Sequence, residues 1–525
     1  MTNNNRPVTR KKRSISARFL WLVSLLAGIA FLITFWLTPV FPLKWSLIVL
    51  GVLAVLFGLT FLLCIKTSPK NIFTKCVNIL LTVVLVIGTV LIPYEVDKVT
   101  SLFNQVTGNQ TIINIYRMTD SYAKTNAFTD VYQYDNDNGK CKDLSSLKDA
   151  SFITASEQDS ANTTYALSEL KTAFSSNIKT VDKSSYIDAV AALYSNDGNF
   201  LIMPVIYQAT IEDSATYQNF ANDTEVVYSF SRTSEVTHTV KGDSTLTKKP
   251  FTIFFGGNDQ TSEESGGLSL EGRTDVCMVV TVNPSSHQIA IINMPRDSYI
   301  PNPYYGSGDS SYDKLTHLGL VGIDNTLKGL GNYLDESINN YLILNFTTFE
   351  HIIEALGGVT VDNPYEFTAL DDEYFPAGVI NLTPDSALMY VREREGLPDG
   401  DFGRNMHQQM VMSAIIDKIT SPSGIVSFNS MLDSIKGEFL TNLSSNAIYG
   451  LVNKQLDEGI SWNVVKYHVI GETGMEVCAS APGEQLSVVY PYTNQIEYVK
   501  SVIDQVDSGE IVEQQELPDG TYTKN

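Results

Sequence analysis

The sequence predicts an α/β fold: a central mixed sheet flanked by helices, preceded by three transmembrane helices and a small α+β accessory domain. Three observations predict it. Apolar runs of membrane-spanning length fill the first 93 residues. From residue 251 onward, short β-branched runs alternate with segments of helical period. Between these two parts lies a stretch rich in Ser, Thr, Asn, Asp and Tyr that still carries strand and helix patterns.

The membrane part comes first. Residues 19–37, 45–65 and 76–92 are continuously apolar or weakly polar, each close to the ~20 residues a bilayer-spanning helix needs. A cleaved signal peptide accounts for the first run but not for the two that follow. Arg6, Arg10, Lys11, Lys12, Arg13 and Arg18 precede the first span. Only Lys44 lies between the first two, and Lys66, Lys70 and Lys75 lie between the second and third. Lysine and arginine stay on the cytoplasmic side, so the N-terminus is expected inside and everything after residue 94 outside.

Charge divides the chain at the same place. Residues 1–94 hold ten of the 36 Lys and Arg and no Asp or Glu. The remaining 431 residues therefore carry 26 basic against 58 acidic side chains, a net charge of −32. Such a body is poorly suited to nucleic acid and well suited to divalent cations. The five cysteines form no CxxC or Cys/His spacing, so neither a disulfide framework nor a zinc site is expected, and Cys277 fits a small buried role within its strand.

The expected divisions are 1–94 for the membrane module, 95–247 for the accessory domain, 248–506 for the catalytic domain and 507–525 for a disordered acidic tail. In the accessory domain, 186–194 has helical spacing and 200–211 resembles a strand, without a chemical constellation; a spacer role is expected. In the catalytic domain, strands are expected at 251–255, 276–282, 289–294, 340–344 and 359–361. Helices are expected at 323–334, at 346–356 before Gly357-Gly358, at 384–390 after the Thr383 cap, and at 406–419.

The chemistry sits at the ends of these elements. Arginine beside aspartate recurs in Arg273-Thr274-Asp275, Pro295-Arg296-Asp297, Arg392-Glu393-Arg394 and the run from Asp401 to Gln409, with Asp259 just upstream of the first. Guanidinium forks bind phosphate oxygens. Aspartates beside them would repel phosphate unless a divalent cation lies between, so the set points to a Mg²⁺–pyrophosphate site, with Mn²⁺ the alternative ion. Asp259 and Asp275 at strand ends offer the oxygen donors Mg²⁺ prefers. Arg392 and Arg394, two apart in an extended segment, would point to one side as a phosphate clamp. Arg404 and Gln408 share a face of a helix's first turns, whose N-terminus favours anions. His407 is expected to be packed rather than to ligate. The helices at 323–334 and 346–356 are candidate walls for an apolar tunnel.

Taken together, Arg273-Thr274-Asp275, Pro295-Arg296-Asp297, Val391-Arg392-Glu393-Arg394 and Asp401-Phe402-Gly403-Arg404 followed by Gln408-Gln409 resemble the LytR-CpsA-Psr proteins of Gram-positive bacteria, over about 250–506. The three spans and accessory domain resemble the CpsA-type capsule branch. The resemblance implies a multi-pass protein of the cell membrane, its accessory and catalytic domains extracellular. It implies transfer of a glycopolymer, a capsular polysaccharide by this branch, from an undecaprenyl-pyrophosphate carrier onto peptidoglycan. It matches Asp259 and Asp275 to the Mg²⁺ ligands. Arg273, Arg296, Arg392, Arg394 and Gln408 match pyrophosphate binders, with Arg404 and Asp401 beside them; Arg273, Arg296, Asp297, Asp401 and Arg404 are the candidate catalytic set. Two departures stand out: His407 where the family often has Arg, and a longer loop at 261–267. The same site could serve a hydrolase with water as attacker. The family also carries an older reading as regulators of capsule-gene expression, for which the short cytoplasmic segment is too small to hold a DNA-binding domain.

Overall fold

A computed structural model describes residues 16–38, 43–68, 70–103, 109–128, 131–234, 246–258, 268–370, 372–421, 438–459 and 461–521, together with 424, 431, 432, 434 and 435. The chain forms two compact units, one of residues 1–104 with 445–460 and the other of the remainder.

In the first unit, helices α1 (Ala17–Leu37), α2 (Leu43–Lys66) and α3 (Ile72–Phe103) are each long and apolar enough to cross a membrane. Most of their Leu, Ile and Val side chains face outward, as a lipid environment requires. Polar ties are few: Ser24 Oγ donates to Asn78 Oδ1 at 3.3 Å, and Trp21 Nε1 to the Phe57 carbonyl at 3.2 Å. The third helix continues through Pro93 beyond the expected span. Helix Ser445–Glu458 belongs to this unit as well.

The second unit holds two large sheets and, among the described residues, several two-stranded ribbons. The first comprises β1 (Asn109–Met118), β2 (Ser151–Thr154), β3 (Lys179–Asp182), β4 (Phe200–Pro204) and β5 (Thr224–Ser234), in the order β3-β2-β4-β1-β5. Helices α4 (Ser160–Phe174) and α5 (Tyr186–Tyr194) pack on it, and α5 has the bounds its spacing predicts. The strand expected over 200–211 ends at Pro204. A 3-10 turn and helix α6 (Gln208–Glu212) follow, because proline cannot donate to a ladder.

The larger sheet contains β6 (Phe251–Asn258), β7 (Val276–Asn283), β8 (Gln288–Asn293), β9 (Ile338–Asn345), β10 (Phe439–Thr441) and β11 (Asn463–His468), in the order β10-β9-β6-β7-β8-β11. It is mixed: β6 pairs parallel with β9 and β8 with β11, while β7 runs antiparallel to β6 and β8. Alternation assigns the faces. Phe254, Cys277, Val279, Ala290, Ile292 and Tyr341 turn to one side, where α7 (Ile323–Leu334) and a C-terminal helix, Thr493–Ser508, cover them with Leu327, Leu330, Val499 and Val502. Phe255, Val276, Met278 and Leu344 turn to the other. There α8 (Phe346–Ala355), α9 (Pro384–Arg392) and α10 (Asp401–Thr420) bring Phe346, Phe349, Val391 and Met412. Thr383 caps α9 in a capping box with Ser386.

Three further details differ from the sequence expectation. Helix α10 starts at Asp401, five residues early, because Gly400 at φ 54 turns the chain directly into it. Helix α9 runs on to Arg392, so that arginine is helical rather than extended. The acidic tail is not disordered over 510–521. Val512 is buried, Gln288 and Asn463 bond its backbone at 2.7 Å, and Leu517 packs on the core. Side-chain amides of the body replace a ladder there, which hydrophobic period cannot reveal.

Gly319 makes one backbone contact on which the site depends. Gly272 N donates to its carbonyl at 2.9 Å, and a Cβ at 319 would fall 2.2 Å from the Gly272 oxygen. Gly319→Ala must displace the bend at Gly272 that leads into Arg273. We expect it to cost about 1–3 kcal/mol of stability, as overpacking does; unchanged urea unfolding of the variant would contradict this contact.

Candidate active site

Strand directions concentrate the chemistry at one sheet edge. Because β6, β8, β9 and β11 run the same way and β7 and β10 run against them, four C-terminal strand ends and two N-terminal ends meet there. Asp275, Arg296 and Asp297 lie at this edge. Asp275 N is tied to the Gly257 carbonyl at 2.7 Å, which sets the carboxylate beside the end of β6.

Here the side chains form a chain of alternating charge. Arg296 Nη1 donates to Asp275 Oδ1, and its Nε lies 3.8 Å from Asp297. Lys314 Nζ lies 3.4 Å from Asp297 and 2.9 Å from Asp213. Asp213 in turn pairs with Arg273 at 3.2 Å. Burial disfavours the charge on Arg296, but Asp275 and Asp297 outweigh it and raise its pKa. Burial likewise opposes the charge on Asp213, yet its contact with His317 and the charges of Arg273 and Lys314 hold the carboxyl well below the usual carboxylate range.

The second bank comes from α9, α10 and the turn between them. Arg404 Nη2 donates to Asp401 one helical turn back. Burial pushes the Arg404 pKa down, opposed chiefly by Asp401, with Arg296, Asp275 and Arg394 close enough to contribute. Glu393 is buried and accepts from the backbone N–H of Leu370, Arg394 and Gly396 at 2.7–3.0 Å. That knot fixes the turn and leaves Arg392 and Arg394 exposed on either side of it. Arg392 lies 4.9 Å over the Phe346 ring, a cation–π contact. Asn293 Nδ2, at the end of β8, donates to the Asn405 carbonyl at 2.6 Å and locks α10 to the sheet edge.

An apolar cleft opens beside this cluster. The space over it, open solvent at its mouth included, is about 440 Å³, and Phe255, Val276, Met278, Phe346, Phe349 and Met412 line it. Val391 and Gln408 also line it, so the residues next to Arg392 and Asp275 form part of its wall. Gln408 Nε2 donates to the Val391 carbonyl at 3.3 Å, and its Oε1 is buried without a partner among the described residues. Of the two expected tunnel walls, only α8 lines this cleft; α7 packs in the core on the opposite face.

The structure thus brings together Arg273, Arg296, Asp297, Asp275, Asp401, Arg404 and Arg394, with Arg392 and Gln408 at the cleft. Asp259 lies outside the described residues. His407 is packed: it stacks on Tyr390 at 4.0 Å and on Phe367 at 5.0 Å, and its Nδ1 donates to the Tyr390 carbonyl at 3.2 Å. Gln409 bonds the carbonyls of Ile291 and Tyr467, tying α10 to β8 and β11. Sequence reasoning missed Asp213, Lys314 and the organising role of Glu393. Lys314 stands alone in Tyr-Asp-Lys without a motif, and Asp213 belongs to the stretch expected to be a spacer. Asp313, His317 and Cys478 also converge within 4.8 Å. They form a hydrogen-bond knot: Asp313 already accepts from Lys314 N, Ser480 and Asn302, and burial pushes the Cys478 thiol up.

Over residues 207–487, more than half its length, the chain matches the LytR_cpsA_psr family. It belongs to that family. It is 32% identical over 247 residues to the polyisoprenyl-teichoic acid–peptidoglycan teichoic acid transferase TagU of Bacillus anthracis, covering 44% of this chain and 78% of that protein. The protein of the same name from Enterococcus faecalis is 31% identical over 198 residues, 38% of this chain and 63% of that one. The crystal structure of B. subtilis TagV aligns at 25% identity with a TM-score of 0.41, over 50% of this chain and 98% of that one. The arginine strings lie within the residues this LytR_cpsA_psr protein matches to its family, and the fold gathers them at one edge.

Burial lowers the His407 pKa from 6.5 to about 4, so the ring is neutral in the folded state at neutral pH. Between those values the unfolded chain binds a proton that the folded chain does not, so stability is complete above about 6.5 and is lost as pH falls. Lowering pH from 7 to 5 should cost about 2 kcal/mol through this residue. His407→Phe, which keeps the stack, should flatten the dependence by that amount in urea unfolding at the two pH values; an unchanged slope would refute a buried neutral ring.

Proposed function

We propose that this chain is a membrane-anchored phosphotransferase that moves a glycopolymer from an undecaprenyl-pyrophosphate carrier onto peptidoglycan at the outer membrane face. The observation that carries the proposal is a set of buried guanidinium groups, each ion-paired yet with an N–H that makes no hydrogen bond, beside an apolar cleft. Arg404 Nε is buried without a hydrogen-bond acceptor among the described residues, and Arg273 Nη1 and Arg296 Nε, which lie 3.2 Å from Asp213 and 3.8 Å from Asp297 as ion pairs, make no hydrogen bond there either. Buried donors need acceptors, and the oxygens of a pyrophosphate supply them, with the cleft taking the first isoprenoid units. The named activity of the relatives supports both carrier and acceptor. Three apolar helices ahead of an accessory sheet favour the capsule-type polymer. Basic residues before the first helix favour a cytoplasmic N-terminus.

The chain's own groups position and neutralise, as phosphoryl transfer requires. Arg273, Arg296 and Arg404 bind pyrophosphate oxygens, Arg392 and Arg394 clamp from the exposed side, and Gln408 orients the group nearest the cleft. Asp297 and Asp401 hold the guanidinium groups in place. An acceptor hydroxyl attacks the sugar-proximal phosphorus and releases its proton to water. The bond from that phosphorus to the bridging oxygen breaks, and undecaprenyl phosphate leaves with the electron pair. Asp275 and Asp259 would hold Mg²⁺ or Mn²⁺. The donor set fits such an ion: it is all oxygen, and Asn258 Oδ1 beside Asp259 is buried without a donor among the described residues. The ion would neutralise charge developing on the leaving phosphate.

Two outcomes test this reading. Asp275→Ala should abolish metal-dependent transfer and also lower the melting temperature, because Arg296 loses a largely buried partner, whereas Asp275→Asn, which still accepts from Arg296, should abolish transfer with less loss of stability; full transfer by either variant would remove Asp275 from the metal site. Arg392→Ala should lose a charge-assisted contact worth about 1.5–3 kcal/mol, and Arg392→Lys should lose less, because charge remains while the fork does not. The measure is wall-linked polymer per cell, and normal linkage in the Arg392→Ala strain would defeat the clamp.

A further inference from the structure

The accessory sheet reaches the active site through one carboxylate. Asp213 follows α6, in the segment that connects β4 to β5, and its N–H bonds the Ala209 carbonyl at 3.0 Å. Its Oδ2 touches Lys314 Nζ at 2.9 Å and Arg273 Nη1 at 3.2 Å. Lys314, with a side chain only 4% exposed, is shared with Asp297 at 3.4 Å. A buried ammonium held between two carboxylates is expensive to leave half-paired. Removing Asp213 therefore frees both Arg273 and Lys314 and alters the environment of Asp297.

The segment bearing Asp213 is held firmly. Ser214 Oγ and Thr216 Oγ1 donate to Glu484 at 2.6 and 2.9 Å, and Gln158 Nε2 donates to the Ser480 carbonyl at 3.2 Å. One apolar core joins Tyr116, Leu193 and Phe220 of the accessory part to Leu320, Leu486 and Val488 of the catalytic part. The accessory region therefore presents Asp213 at a fixed position rather than on a tether.

We infer that Asp213 is a positioning residue for glycopolymer transfer: it orients Arg273 and Lys314, so the segment that joins β4 to β5 completes the pyrophosphate site. This rests on the proposed transfer reading. It gives the β4–β5 connection a chemical role and makes Lys314 a member of the site. Asp213 does not touch the pyrophosphate; it acts through the two cations.

The test uses the full chain in detergent, with a polyprenyl-pyrophosphate-linked saccharide as donor and peptidoglycan fragments as acceptor. Asp213→Asn should lower kcat/KM for the donor between about tenfold and a hundredfold, the scale of a misplaced binding group. Asp213→Glu, which keeps the charge, should recover part of the loss. In an Arg273→Ala, Lys314→Met background the Asp213→Asn change should cost little more, because the groups it acts through are gone. A loss that simply adds in that background, or wild-type kcat/KM in Asp213→Asn, overturns the inference while leaving the transfer reading intact. If Arg273→Ala itself transfers normally, the transfer reading fails and the inference falls with it. If Asp213→Asn does not fold, and a folded Asp213→Glu is as inactive as Asp213→Ser, the residue is a packing element and the inference is overturned.

Discussion

The organisation of the catalytic sheet edge depends on the pairing of Arg296 with Asp275. Both side chains are largely withdrawn from water, and burying either alone would carry the full desolvation cost of an unpaired charge. Pairing removes that cost, and the neighbours extend it: Asp297 to Lys314, Lys314 to Asp213, Asp213 to Arg273. A site built to bind pyrophosphate has to concentrate cations, and like charges at this spacing repel. The carboxylates let a folded chain hold the arginines together while leaving several guanidinium N–H groups for a ligand.

The two-faced sheet explains why an anion site and an apolar cleft adjoin. One face is closed by α7 and the C-terminal helix with tightly packed aliphatic side chains. The other is covered by α8, α9 and α10, whose large side chains stand off the sheet and leave a groove. The groove ends where the strands end, so an amphiphile with a charged head and an apolar tail matches both halves. Gln408 and Arg392 belong to both, one by lining the groove and the other by stacking on Phe346.

Much of the fold was legible because its signals are local. β-branched runs marked β7 and β8, a proline after Thr383 marked the start of α9, and helical period marked α5 and α7. The arginine strings were legible because Arg beside Asp at strand ends is hard to explain otherwise. Signals that depend on distant partners were not. The strand after Phe200 stops at Pro204, where apolar content continues but ladder donation cannot. The tail was expected to be disordered from its acidity, yet Gln288 and Asn463, far away in sequence, bond its backbone. Asp213 and Lys314 carry no motif at all, and only the fold places a carboxylate of the accessory region against Arg273.

The central claim is that these arginines form a pyrophosphate site opening onto the apolar cleft. A crystal structure of the full chain with a short polyprenyl pyrophosphate and Mg²⁺ tests it most directly. The expected result is phosphate density within hydrogen-bond reach of Arg273, Arg296 and Arg404, a metal on Asp275, and the isoprenoid between Phe255, Phe349 and Met412. Pyrophosphate bound elsewhere, with the Arg296–Asp275 edge unchanged and the cleft filled by side chains, would contradict it.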